Sequence, residues 1–124
     1  MLVEIAIPDH PLLLVDARNV LRSQWPNIPE RELVDRVNEW ATAHGVRPVI
    51  VFDGEAPPGA VGTGAESADD WLVREAGELH ARGEPFWLVT SDRALRDAAG
   101  VHAERTIGGG AFADELRPRP RGRR

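Results

Sequence analysis

The chain has no cysteine among its 124 residues. It therefore forms neither disulfides nor thiolate-held zinc, and an intracellular setting is the natural reading. There is no lysine either, so all 15 basic residues are arginine and chemistry that needs a lysine side chain is excluded. Long apolar runs are missing too: nothing approaches the roughly 18 residues of a membrane span. The stretch Met1–Asp9 lacks a basic start and interrupts its apolar run with Glu4 and Pro8, which makes a poor secretory signal. The expected location is the cytoplasm.

Charge is unevenly placed. Five arginines, Arg117, Arg119, Arg121, Arg123 and Arg124, occupy the last eight positions, and all 20 acids lie at or before Glu115. Removing those five arginines from the 15 leaves ten basic residues against 20 acids, so a body of charge −10 carries a tail of +5. A body this acidic does not embrace nucleic acid over a broad basic surface. It can meet a phosphate through metal ions or through the tail.

Leu12-Leu13-Leu14-Val15 followed by Asp16 reads as a strand buried on both faces that delivers a carboxylate to its end. Val49–Phe52 ends the same way at Asp53, and Phe86–Val89 is followed at once by Thr90-Ser91-Asp92. Between them lie helical patterns: a short one from Asp16 to about Gln24, a second opening at Pro29 and closed by Gly45, and a third from Glu66 to about Ala81. Asp92–Ala99 is expected as a helix, Val101–Ala103 as a short fourth strand and Gly110–Leu116 as a last helix. The segment between Asp53 and Glu66, rich in glycine and proline, is expected as a loop without an extra strand. Strands alternating with helices predict an α/β sandwich with a mostly parallel sheet of four or five strands. One domain spans residues 1–116, with an N-terminal arm and a possible edge strand at Leu2–Ile7, and the Arg/Pro-rich tail 117–124 is expected to be disordered.

Ligands of parallel sheets bind at the carboxyl ends of the strands, where Asp16, Asp53 and Asp92 are expected to gather. Helical spacing sets Asp69 beside the buried face of its helix and Asp70 on the solvent side. Each aspartate alone also reads as a helix cap worth about 1 kcal/mol, and Ser67-Ala68-Asp69-Asp70 fits a capping box. Together they make another proposition. Two bare carboxylates about 4 Å apart repel by about 4 kcal/mol at an effective dielectric of 20, so a cluster survives by protonation or by taking a cation. Oxygen donors alone favour Mg²⁺ or Mn²⁺, and a pair of such ions can hold attacking and leaving oxygens of a phosphodiester. Asn19 reads either as a group that orients water or phosphate, or as a plain helix-start amide. Trp25, in a proline-flanked loop expected near this edge, is a candidate for stacking on a base. The four histidines show no metal spacing, and Gly108–Gly110 reads as a flexible turn rather than a phosphate cradle.

Leu-Leu-Val-Asp-Ala-Arg-Asn at 13–19, Val-Phe-Asp-Gly at 51–54, Glu-Ser-Ala-Asp-Asp at 66–70 and Val-Thr-Ser-Asp-Arg at 89–93 resemble, in order, the motifs of NYN domains. They are most similar to the YacP-like branch of the PIN-like nuclease superfamily, over roughly residues 12–116. The resemblance implies a PIN-like three-layer sandwich and metal-dependent cleavage of RNA, with an RNA or ribosomal partner. By position, Asp16, Asp69 and Asp92 would form the metal-binding core, supported by Asn19, Asp53 and Glu66. The expected function is a Mg²⁺- or Mn²⁺-dependent endoribonuclease with Asp16, Asn19, Asp69 and Asp92 as its catalytic set. Ser91, Arg93 and Trp25, with Asn19, would contact substrate. The competing expectation is a catalytically silent RNA- or ribosome-docking module. A receiver-like phosphoacceptor would lack its lysine.

Overall fold

The computed structural model describes residues 10–118; the expected edge strand at Leu2–Ile7 and the tail from Arg119 lie outside them. Five strands, β1 (Leu12–Asp16), β2 (Arg47–Phe52), β3 (Val61–Gly62), β4 (Phe86–Val89) and β5 (Arg105–Ile107), form one sheet in the spatial order β3-β2-β1-β4-β5. Every pairing is parallel. Five helices accompany it: α1 (Ala17–Arg22), α2 (Glu30–His44), α3 (Ala68–Ala81), α4 (Arg93–Ala98) and α5 (Gly109–Leu116).

The four residues Leu13–Asp16 of β1 are all buried because both faces of the central strand are covered. Successive side chains alternate between those faces. Leu13 and Val15 pack with Val20 of α1, Val37 and Trp40 of α2, and Phe112 of α5. Leu14 packs on the opposite face with Leu72 and Leu79 of α3 and Leu95 of α4. The result is a three-layer α/β sandwich, as the apolar runs require.

Local chemistry fixes the helix bounds. In α2, Glu30 and Glu32 sit in the first turn, where the helix dipole favours them, and the buried Leu33, Val34, Val37, Trp40 and Ala41 recur at helical spacing. It ends where Gly45 turns left-handed at φ +68°. The Ser67 hydroxyl caps α3 by accepting the Asp70 amide at 3.0 Å, which is the serine half of the expected capping box.

Two elements differ from the sequence expectation. The glycine-rich segment after Asp53 does hold a strand, β3, against β2, and Gly54 bridges to Gly64. A Cβ on Gly62 would lie 2.5 Å from the Gly54 carbonyl, so this glycine serves close backbone approach rather than looseness. The expected strand Val101–Ala103 is not one. Gly100–His102 form a single 3-10 turn with Val101 71% exposed, and the fifth strand follows at Arg105–Ile107.

Strand order reverses between β1 and β4: the chain leaves β1 for β2 on one side and returns through α3 to β4 on the other. A crevice opens at the carboxyl ends of two such strands. Asp16 stands on one side of it and Thr90-Ser91-Asp92 on the other.

Candidate active site

Val15 pairs with Val89, so the next residues, Asp16 and Thr90, come abreast at the crevice. Both are buried, Asp16 at 6% exposure. The Thr90 hydroxyl donates to Asp16 Oδ2 at 2.9 Å and accepts the Asp92 amide at 3.1 Å. One hydroxyl thereby ties the first aspartate to the backbone that carries the last. Asp16 occupies the N-cap position of α1, its carboxylate near the Asn19 backbone N–H but without a well-formed cap hydrogen bond. Burial lifts its carboxyl above the ordinary aspartate range; Thr90, the Asn19 amide and Arg22 oppose the rise, and the charge of Asp69 adds to it.

Asp69, in the first turn of α3, is also raised, first by partial desolvation and then by the charges of Asp92, Asp53 and Asp70, with Arg22 opposing. Asp69 thus lies within electrostatic reach of Asp16, Asp53 and Asp92, which come from three other stretches of chain. Asp69 has no hydrogen-bond partner among the described residues.

The capping alternative holds for two of the four. Asp53 Oδ1 accepts the Ala68 amide at 2.7 Å, fastening the start of α3 to the end of β2, and its Oδ2 lies 3.5 Å from Arg18. Asp92 Oδ1 caps its own helix at the Leu95 amide, 2.9 Å away. Each spends one oxygen on a backbone amide. Glu66 is not drawn into the group: Arg74 pairs with its carboxylate on the outer side of α3. Asp70 is exposed, as helical spacing expected.

Asn19 has a structural task. Its Oδ1 accepts the Ser91 amide at 2.9 Å, while Ser91 Oγ accepts the Gly109 amide at 2.7 Å. A methyl group on Gly109 would stand 2.0 Å from Asn19 Oδ1. The glycine run is therefore a close contact that locks α1, the β4 exit and α5 together, neither a loose turn nor a phosphate cradle. The Asn19 Nδ2 group has no protein partner among the described residues.

Trp25 is not at this rim. It is 78% exposed and lines a cavity of about 200 Å³ with Gln24, Ile28, Arg36 and Arg117. Gln24 Nε2 donates to the Ala113 carbonyl at 3.3 Å, so this loop sits beside the late turns of α5. The Asn19–Gly109 contact is at the start of that helix, about 6 Å of helical rise from Ala113 and about 12 Å from Arg117, which shares the Trp25 cavity. Arg93 is exposed and lines a second cavity, of about 290 Å³, with Ser91, Arg96 and Asp97.

Sequence reasoning missed Thr90 and Arg22. The signal for Thr90 was present: aligning the two apolar runs end to end puts the threonine beside Asp16. Arg22 gave none, because its influence on Asp16 and Asp69 depends on how α1 leans over the sheet.

The donor set fits a hard divalent cation in its chemistry, being oxygen throughout, with two carboxyls strained by burial and by neighbouring charge. Spacing fits less closely. Among the described residues, no three acidic or histidine side chains stand together closely enough to hold one ion. Ligation therefore requires the exposed Asp69 and Asp92 side chains to turn toward the fixed Asp16.

No protein-family model matches the chain, and no curated protein does. Among solved structures, it matches a crystal structure of Rae1 (YacP) from Bacillus subtilis with a TM-score of 0.62 and 20% identity, over 85% of this chain and 72% of that one. A structure of a point mutant of the same protein matches with a TM-score of 0.67 and 21% identity, over 85% and 73%. At such identity the likeness is one of architecture: the chain has the fold of Rae1 (YacP), with the acidic rim at its strand-order reversal.

Proposed function

We propose that this chain is an endoribonuclease that hydrolyses RNA phosphodiesters at the aspartate rim with Mg²⁺ or Mn²⁺ as cofactor. The observation that carries the reading is that the charge of Asp69 is coupled to those of Asp16, Asp53 and Asp92, with Arg18 and Arg22 as the cations near them among the described residues. The motif resemblance to NYN domains and the Rae1 (YacP) architecture support RNA as substrate, and a ribosomal setting for that RNA.

In this proposal Asp16 is the fixed ligand, held by Thr90 in one orientation. Asp69 and Asp92 close from the two helix starts, and Asp53 keeps α3 seated so that Asp69 stays over the crevice. Asn19 presents its unpartnered Nδ2 group as a donor for a phosphate oxygen or the attacking water. A bound divalent cation would supply charge neutralisation at phosphorus and a more acidic water. Because the ligating forms are carboxylates and two of the carboxyls are raised, activity should climb with pH through the acid range.

The test is hydrolysis of single-stranded RNA with Mn²⁺ or with EDTA. The wild type should cleave only with the metal, and Asp16→Asn and Asp69→Asn should each lose more than the roughly 10–100-fold typical of an outer-shell change. Cleavage that persists in EDTA, or in both variants, overturns the mechanism. The absence of any preformed three-ligand group among the described residues favours one other reading, a docking module that keeps the fold; RNA binding retained in every variant with no turnover in the wild type would select it.

A further inference from the structure

A body of net negative charge with an acidic rim repels a polyanion, so an RNA strand needs a local cationic hold beside the rim. We propose that Arg93 and Arg96, with the Ser91 hydroxyl, form a phosphate subsite that grips the RNA backbone next to the scissile position. The proposal rests on the RNA reading above and assigns Arg96, which no motif singled out.

Three observations place it. The three residues line the cavity of about 290 Å³, and Arg93 and Arg96 are three apart on α4, hence neighbours on one side of it. Neither guanidinium is in an ion pair among the described residues, whereas Arg18, Arg36, Arg74, Arg82 and Arg117 each pair with a carboxylate. Asp97 also lines the cavity, but one carboxylate against two guanidiniums leaves the wall cationic.

Ser91 Oγ accepts the Gly109 amide, which leaves its own O–H to donate. Two forked guanidiniums and a hydroxyl suit a phosphate, which takes bidentate charge-assisted bonds. Ser91 and Arg93 flank Asp92 in the chain, each about 3.8 Å away between Cα atoms. The subsite therefore adjoins Asp92 at the start of α4.

Binding of a short single-stranded RNA in EDTA, followed by fluorescence anisotropy over a salt series, tests the subsite without turnover. Arg93→Ala and Arg96→Ala should each weaken binding about tenfold and lower the slope of log affinity against log salt by about 0.7. Arg31→Ala, an exposed arginine of α2, should bind as the wild type, and melting curves should show all three variants folded. If both cavity variants bind within twofold of the wild type with unchanged slope, the subsite is overturned, while Mn²⁺-dependent cleavage by the wild type would leave the nuclease reading standing. A wild type that neither binds nor cleaves RNA overturns both.

Discussion

Asp16 and Glu66 sit within two of the four motifs that carry the acidic constellation, yet the fold treats them in opposite ways. Asp16 is buried at a strand end, raised by that burial, and held by a neutral hydroxyl. Glu66 lies just before α3, facing outward, with its charge met by Arg74. The same functional group is thus an unbalanced charge in one place and a balanced surface pair in the other. Binding capacity follows the imbalance: a carboxylate with no cation of its own gains most from one supplied by solution, and a carboxylate beside a guanidinium gains least.

The largest expected effect in sharpening that contrast is at Thr90. Thr90→Val keeps the shape but strips Asp16 Oδ2 and the Asp92 amide of their shared partner. It should destabilise the fold by about 1–3 kcal/mol, the cost of unsatisfied buried polar groups, and lower metal-dependent cleavage about 10–100-fold. Denaturant melts and RNA cleavage rates, measured side by side, check both. A variant with wild-type rates would break the link between Thr90 and Asp16.

Next comes the pH dependence. A carboxyl raised in the folded state binds its proton more tightly there than in the unfolded chain, so the folded state is favoured at low pH. This contribution fades as pH climbs from the ordinary value, 3.8, through the raised one. Asp69→Asn, which breaks no hydrogen bond among the described residues, should therefore raise the melting temperature at neutral pH. Because Asp69 is exposed, the gain should be no more than roughly 2 °C, and it should vanish below the ordinary aspartate range. A melting temperature lowered at neutral pH would show that Asp69 is already balanced, as Glu66 is.

The smallest effect belongs to the balanced side. Glu66→Gln removes one exposed ion pair and should cost less than about 1 kcal/mol, with cleavage rates within about twofold of the wild type. A loss comparable to that of Asp16→Asn would place Glu66 among the ligands and erase the distinction.

Much of this arrangement was legible in the sequence because its carriers are long or strongly patterned. The buried run of β1, the helical spacing of α2 and the Ser67 cap each announce themselves locally. The short edge strands do not. β5 is Arg105-Thr106-Ile107, with only Ile107 buried, and β3 is two residues long, so neither offers a period to read. Val101 looked like strand core because it is apolar, but the 3-10 turn leaves it in solvent.

At the site, residue types pointed to the four aspartates. Partners did not show, since Arg74 reaches Glu66 across eight positions and Ser91 joins Asn19 across 72. The cap reading holds at Asp53 and Asp92, and at Asp92 it engages one of the two carboxylate oxygens. Trp25 was expected at the rim because it follows α1, but its loop lies beside the later part of α5, with Arg117 lining the same cavity.

The most direct measurement of the central claim is the melting temperature of the RNA-free protein titrated with Mn²⁺. A ligand at a hundred times its dissociation constant stabilises by about 2.7 kcal/mol, roughly 10 °C for a chain of this size. The wild type and Glu66→Gln should both show that rise, and Asp16→Asn should show none. No rise in the wild type, or an equal rise in all three proteins, would contradict the account.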